Sequence, residues 1–215
     1  MEPTRAILSL PNVVLKGECM NWHVHVQNML PHVVRVTTPT GQGSGFLLLS
    51  TTRVASVMTA AHVVRDALAW QQVVRIHHSA FRAGSTSFLA PNGVSIHPER
   101  DSACLIFPLP TAGNAEGDAL PEVPIELVPR GEGVRPGVEV GWLGYPGKFP
   151  GVCFFSGCIS AVQTGERYFV DGVAVPGVSG GPALMHPLIS HGIRSRRRPL
   201  GTPAVRSACS RTSPS

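Results

Sequence analysis

Short apolar and β-branched runs recur along the chain between polar stretches that carry Gly, Pro or Asn. Val33–Val36 and Phe46–Leu49 flank a Gly-rich turn, Thr40-Gly-Gln-Gly-Ser-Gly45, and Val54–Thr59, Val73–Ile76, Val94–His97 and Ala103–Phe107 follow. Each has strand length, and none holds a helical period for three turns, so each predicts a β-strand. Ala60–Trp70 is the best helical candidate, of one or two turns. Pro108–Asp118 is rich in Pro and Gly and reads as a connection between two halves. Beyond it a second set of strands is expected at Ile125–Val128, Val138–Leu143, Val152–Val162, Tyr168–Val170 and after Pro182. Two runs of strands about a linker point to an all-β protein, built as two small barrels or a sandwich pair.

Composition agrees with that reading. Hydrophobic residues make up 43% of the 215 positions and charged ones 14%, enough to bury a core. The 23 glycines and 20 prolines suit tight turns between strands better than long helices. The formal charge of +5 suggests a nucleic-acid binder until the charges are located. Six arginines, Arg194, Arg196, Arg197, Arg198, Arg206 and Arg211, lie in the last 22 residues, which hold no acid. Without them 12 basic residues face 13 acidic ones, so the body of the chain is close to neutral. The basic segment reads as a solvated tail and not as a nucleic-acid site, because no aromatic platform interleaves its arginines. No apolar run is long enough to span a bilayer, and the first residues lack the basic start and long apolar centre of a secretory signal. Five cysteines, an odd number, do not suggest a disulfide framework. The expectation is a cytoplasmic protein with no membrane partner.

The candidate chemistry is concentrated in three places. Pro176-Gly-Val-Ser-Gly-Gly-Pro182 sets a serine between glycines, which free the backbone for a tight turn. Such a turn can aim the amides of Gly177 and Ser179 at one point, where each donor stabilises an oxyanion by about 3 kcal/mol. A serine needs a base, and Thr59-Ala-Ala-His62 sets a histidine just after an apolar strand. Asp101 stands at the mouth of another, where a carboxylate can accept a bond from an imidazole N–H. Taken singly, each has an ordinary reading: a hairpin, a structural histidine, a turn residue. No metal site is expected. His23 and His25 alternate onto one face, and His77, His78 and His97 lie elsewhere without zinc-ligand spacing. Cys153 and Cys158, five apart in a strand, would point to opposite faces.

In the order His62, Asp101, Ser179, the chain resembles the chymotrypsin-like serine proteases, and most closely their bacterial HtrA-type branch. Gly41-Gln-Gly-Ser-Gly-Phe46, Leu143-Gly-Tyr-Pro146, Ser156-Gly-Cys-Ile-Ser160 and Asp171–Ser179 are similar to signatures of that branch. The resemblance covers residues 31–184. It implies two six-stranded antiparallel barrels with the triad in the crevice between them. Residues 1–30 would be an N-terminal extension, 31–110 the first barrel, 111–122 a linker, 123–190 the second barrel and 191–215 a basic, disordered tail. It also implies roles: His62 as base and then acid, Asp101 orienting the ring, Ser179 as nucleophile. The oxyanion hole would use the backbone of Gly177 and Ser179, and no metal or organic cofactor is required. Val173, six residues before the nucleophile, would floor the primary substrate pocket, and an apolar floor favours small or medium aliphatic residues.

Two departures from the family matter. Val178 stands where trypsins carry Asp and the HtrA-type branch Asn, so activation by an acid pairing with a freed N-terminus is not expected. The recognisable sequence also stops near Leu184, as after a frameshift or truncation, which would leave the second barrel incomplete with exposed edges. Two functions therefore stay open: a serine endopeptidase acting on peptides or proteins, or an inactive protease-fold domain that binds them. Oligomeric state is not legible.

Overall fold

Alternation along Val33–Thr38 (β1) sends Val34 and Val36 into one core, while Val33 packs in another on the opposite face. That double burial places β1 at the junction of two sheets in a computed structural model. The structure describes residues 22–51, 53–81, 84–109, 120–121, 126–127, 134–147, 149–163, 167–185 and 204–207.

The first sheet adds Gly41–Ser50 (β2), Val54–Thr59 (β3), Val73–His77 (β4), Ser85–Leu89 (β5), Val94–Ile96 (β6) and Ala103–Pro108 (β7). Its order is β5-β4-β1-β2-β3-β7-β6, every pair antiparallel. Phe88 of β5 nevertheless stacks on Phe107 of β7, ring centroids 5.6 Å apart. The sheet is therefore curled around one core, lined by Val34, Leu47, Val57, Ile76 and Leu105. The helix Ala61–Ala69 (α2) lays Ala61, Val63, Val64 and Ala67 against that core.

Glu126–Leu127 (β8), Glu139–Gly144 (β9), Cys153–Gln163 (β10), Arg167–Asp171 (β11), Pro182–Met185 (β12) and Ala204–Ser207 (β13) form the second sheet. Its order is β11-β10-β9-β12-β13-β8. This is the all-β, chymotrypsin-like arrangement that the resemblance implies, with the second barrel incomplete among the described residues.

Several details differ from the sequence reading. The first sheet has seven strands and not six, because β5 forms from Ser-Thr-Ser-Phe-Leu, which carries little apolar pattern. Gly41–Gly45 is the start of β2, and the reversal falls at Pro39-Thr40. A Cβ on Gly43 would meet the Val63 side chain at 2.5 Å and Ser179 O at 3.1 Å, so this glycine serves close packing rather than a turn. Within the segment read as a tail, Ala204–Ser207 pairs antiparallel with β12 and parallel with β8. The rest of that segment lies outside the described residues, as does most of the expected linker, of which Leu120 is buried in the first core.

The expected N-terminal extension contains a helix, Trp22–Met29 (α1). Met29 is fully buried with Val33 and Phe46 of the first sheet and Leu143 and Leu184 of the second. At the other end, the Trp22 indole N–H donates to Glu139 at 2.9 Å and its ring lies 5.2 Å from Phe154. The helix thus ties the two sheets together through apolar burial. Met29→Ala is expected to cost about 3 kcal/mol, because the side chain leaves a cavity between two sheets that cannot both collapse into it. A lowered urea midpoint checks this. Among the described residues, no helix is long and apolar enough to cross a membrane.

Candidate active site

His62 is the second residue of α2, and the residue before the helix, Ala60, is extended and supplies no side-chain cap. Asp101 supplies one from the loop between β6 and β7, which the bond from His97 N to Ser102 O closes. Its Oδ1 accepts from His62 N at 2.8 Å, and its Oδ2 lies 2.6 Å from His62 Nδ1. The same carboxylate holds the helix start and the ring. The Asp101 side chain is 10% exposed and that of His62 45%, so the acid is shielded while the imidazole opens to solvent.

The Ser179 loop reaches this pair through the backbone. Gly177 (φ +97°) and Gly180 (φ +86°) adopt left-handed conformations that a Cβ would strain. A Cβ on Gly180 would strike Ser44 O and Thr59 Oγ1 and lie 2.5 Å from Ala60 N, two residues before His62. Ser179 O accepts from Ser44 N at 2.8 Å. The amides of Val178 and Gly181 are bound within the loop, to Val175 O and Val178 O. Among the described residues, the amides of Gly177 and Ser179 donate to no backbone carbonyl. Nor does a hydrogen bond link the Ser179 hydroxyl to His62 among them.

Sequence reasoning missed the residue that fixes this loop. Ser44 is fully buried in β2, and its Oγ donates to Gly177 O and accepts from Tyr145 N, both at 2.7 Å. Its carbonyl accepts from Thr59 Oγ1 at 2.6 Å. A serine between two glycines in an apolar strand was the available signal. Ser44→Ala would leave a buried carbonyl and an amide unpaired. The expected cost is roughly 2–4 kcal/mol of stability, read as a lowered denaturation midpoint. Val178, buried and packed against Gly144, seats the loop by apolar contact where an ion pair was not expected.

Val173 is 64% exposed, so the described residues do not enclose it as a pocket floor. The segment directly after Met185 lies outside the described residues. His23 and His25 do not share a strand face, since both lie on α1. His78 is buried, with Nε2 2.7 Å from Pro31 O and Nδ1 accepting from Ala80 N, which are structural roles. Burial pulls the pKa values of His32 and His78 down, and for His32 the neighbouring His78 adds to this. Among the described residues, no group of three His, Cys, Asp or Glu could hold a metal ion. Cys153 and Cys158 are free and fall in the regular part of β10, on opposite faces.

Comparison with known proteins places this geometry. The chain is similar in structure to Deg5, with a TM-score of 0.57 and 21% identity, over 74% of this chain and 77% of that one. It is also similar to the Rv3671c protease of M. tuberculosis in an inactive form, at TM-score 0.53 and 22% identity, covering 76% of this chain and 78% of that one. A serine endoprotease from Yersinia pestis matches at TM-score 0.55 and 20% identity, over 78% of this chain and 54% of its own. These likenesses are of fold. No curated protein matches by sequence. The family profile of the trypsin-like peptidase domain matches residues 43–186, which include Ser44, His62, Asp101 and Ser179. With more than half its length matched and the fold in agreement, the chain belongs to the trypsin-like peptidase family.

Proposed function

We propose that the protein is a serine endopeptidase that cleaves peptide bonds through His62, Asp101 and Ser179. The observation that carries this reading is the His62–Asp101 contact of 2.6 Å beside a loop whose Gly177 and Ser179 amides donate to no backbone carbonyl among the described residues. Ser179 Oγ attacks the scissile carbonyl as His62 Nε2 takes its proton, and the carbonyl oxygen becomes an oxyanion held by those two amides. The tetrahedral intermediate expels the amine, which receives the proton from His62, and an acyl-enzyme remains. Water, deprotonated by His62, then attacks the ester and releases Ser179. Asp101 keeps the ring proton on Nδ1 and stabilises the imidazolium. The chemistry needs no metal or organic cofactor. The substrate is a peptide or protein, with a small or medium aliphatic residue before the cleaved bond if Val173 contributes to the pocket.

Two observations favour a second reading, an inactive peptide-binding module. They are the exposure of Val173 and the lack of a hydrogen bond from the Ser179 hydroxyl to His62 among the described residues. Catalytic hydrogen bonds often tighten only when substrate is present, which weakens the second of these. A fluorophosphonate probe separates the readings. The protease reading expects labelling of the full chain that is lost in both Ser179→Ala and His62→Ala. A chain that shows a folded circular dichroism spectrum yet takes no label is the binding module.

A further inference from the structure

Directly opposed residues of an antiparallel ladder share a face, so strand register fixes which side chains stand beside Ser44. Arg35 is paired with Ser44 on one side and His77 on the other. Two residues on, Thr37 is paired with Gln42 and Arg75. The face continues onto β5 through Ser85 and Ser87. Two arginines and a histidine therefore stand among neutral hydroxyl and amide groups, and these strand positions include no carboxylate. Burial pulls the His77 pKa down, and the charges of Arg35 and then Arg75 add to this.

Arg35 is the informative member. Its Cζ lies 5.8 Å from the centroid of the Tyr145 ring, which offers its face to the cation. Its Nε is buried and has no hydrogen-bond partner among the described residues. A guanidinium is a planar fork of five donors matched to a carboxylate. Here it is steered by an aromatic face while its buried Nε meets no acceptor among the described residues. The nucleophile loop is close by: Ser44, paired with Arg35, donates from its amide to Ser179 O and from its hydroxyl to Gly177 O.

We propose that this face is a subsite for an acidic residue of the peptide substrate, whose carboxylate Arg35 binds. The inference rests on the protease reading and gives it a substrate class. Neighbouring strands lie roughly 5 Å apart, and an extended peptide advances about 3.3 Å per residue. The acidic residue therefore falls about two or three positions from the scissile bond.

Matched fluorogenic peptides, with Asp or Asn set in turn at each position flanking the cleaved bond, test this on the full chain. At one position Asp is expected to exceed Asn in kcat/KM by about tenfold, or about 1.4 kcal/mol. The preference should fall below about threefold in Arg35→Gln, while Arg35→Lys, which keeps the charge, retains more of it. A preference absent at every position, or one that survives in Arg35→Gln, overturns the subsite. So does equal loss in the Gln and Lys variants, which would assign Arg35 to packing on Tyr145. Fluorescein-labelled versions of the same peptides, bound to the Ser179→Ala chain and read by anisotropy, separate the two claims. An Arg35-dependent preference in binding, with no hydrolysis by the native chain, keeps the subsite and defeats only the protease reading.

Discussion

Ser179→Ala is expected to lower kcat/KM for a cleavable peptide by on the order of 10⁶-fold while leaving the thermal midpoint close to that of the native chain. The size follows from what the hydroxyl does. On the proposed mechanism no acyl-enzyme forms without it, and only the Gly177 and Ser179 amides and substrate binding still favour the reaction. Stability should hold because the loop is fastened by other atoms: Ser179 O to Ser44 N, and Gly177 O to the Ser44 hydroxyl. His62→Ala should lose nearly as much and the double variant little more, since the two groups act as one unit. Steady-state hydrolysis beside a melting curve checks all three. A Ser179→Ala chain that keeps even a tenth of the native rate would place the chemistry on another residue.

The His62–Asp101 pair was easier to read from the sequence than its support. Val54–Thr59 matched its strand residue for residue because an apolar run bounded by polar neighbours leaves the backbone one good partner choice. Asp101 and His62 were legible by type and order, though not Asp101's second role as the cap of α2, which depends on two loops meeting in space. Ser85–Leu89 was illegible for a different reason. Its hydroxyl-rich pattern has no strand period, and it is a strand because β4 offers an open edge and Phe88 finds Phe107. Gly43 read as a turn residue because glycine signals turns locally, whereas here it admits Val63 and the Ser179 carbonyl from other elements. Trp22–Met29 buries one residue completely, Met29, so its apolar stripe is too thin to announce a helix from sequence. Ser44 shows the general case: a buried serine declares that a polar partner exists, and only the fold says which.

Asp101→Asn is expected to lower kcat by on the order of 10⁴-fold, with KM little changed and stability nearly intact. The carboxylate has two distinguishable duties. Through Oδ1 it accepts from His62 N and caps α2, whose preceding residue Ala60 has no side-chain acceptor. Asn keeps an oxygen for that bond, so the helix start survives. Through Oδ2 it accepts a hydrogen bond from His62 Nδ1–H at 2.6 Å. The amide of Asn donates at that place and cannot accept, so the ring carries its proton on Nε2 instead. An Nε2–H cannot take the proton of Ser179, and the base is lost although every residue is in position. Asp101→Ala removes both bonds and should add a stability loss of about 1 kcal/mol, the usual cost of a missing cap, to a similar fall in kcat. Kinetics and denaturation on the two variants separate the duties. If both lose stability alike and keep most of their kcat, Asp101 is a helix cap alone, and the ring of His62 is oriented by something else.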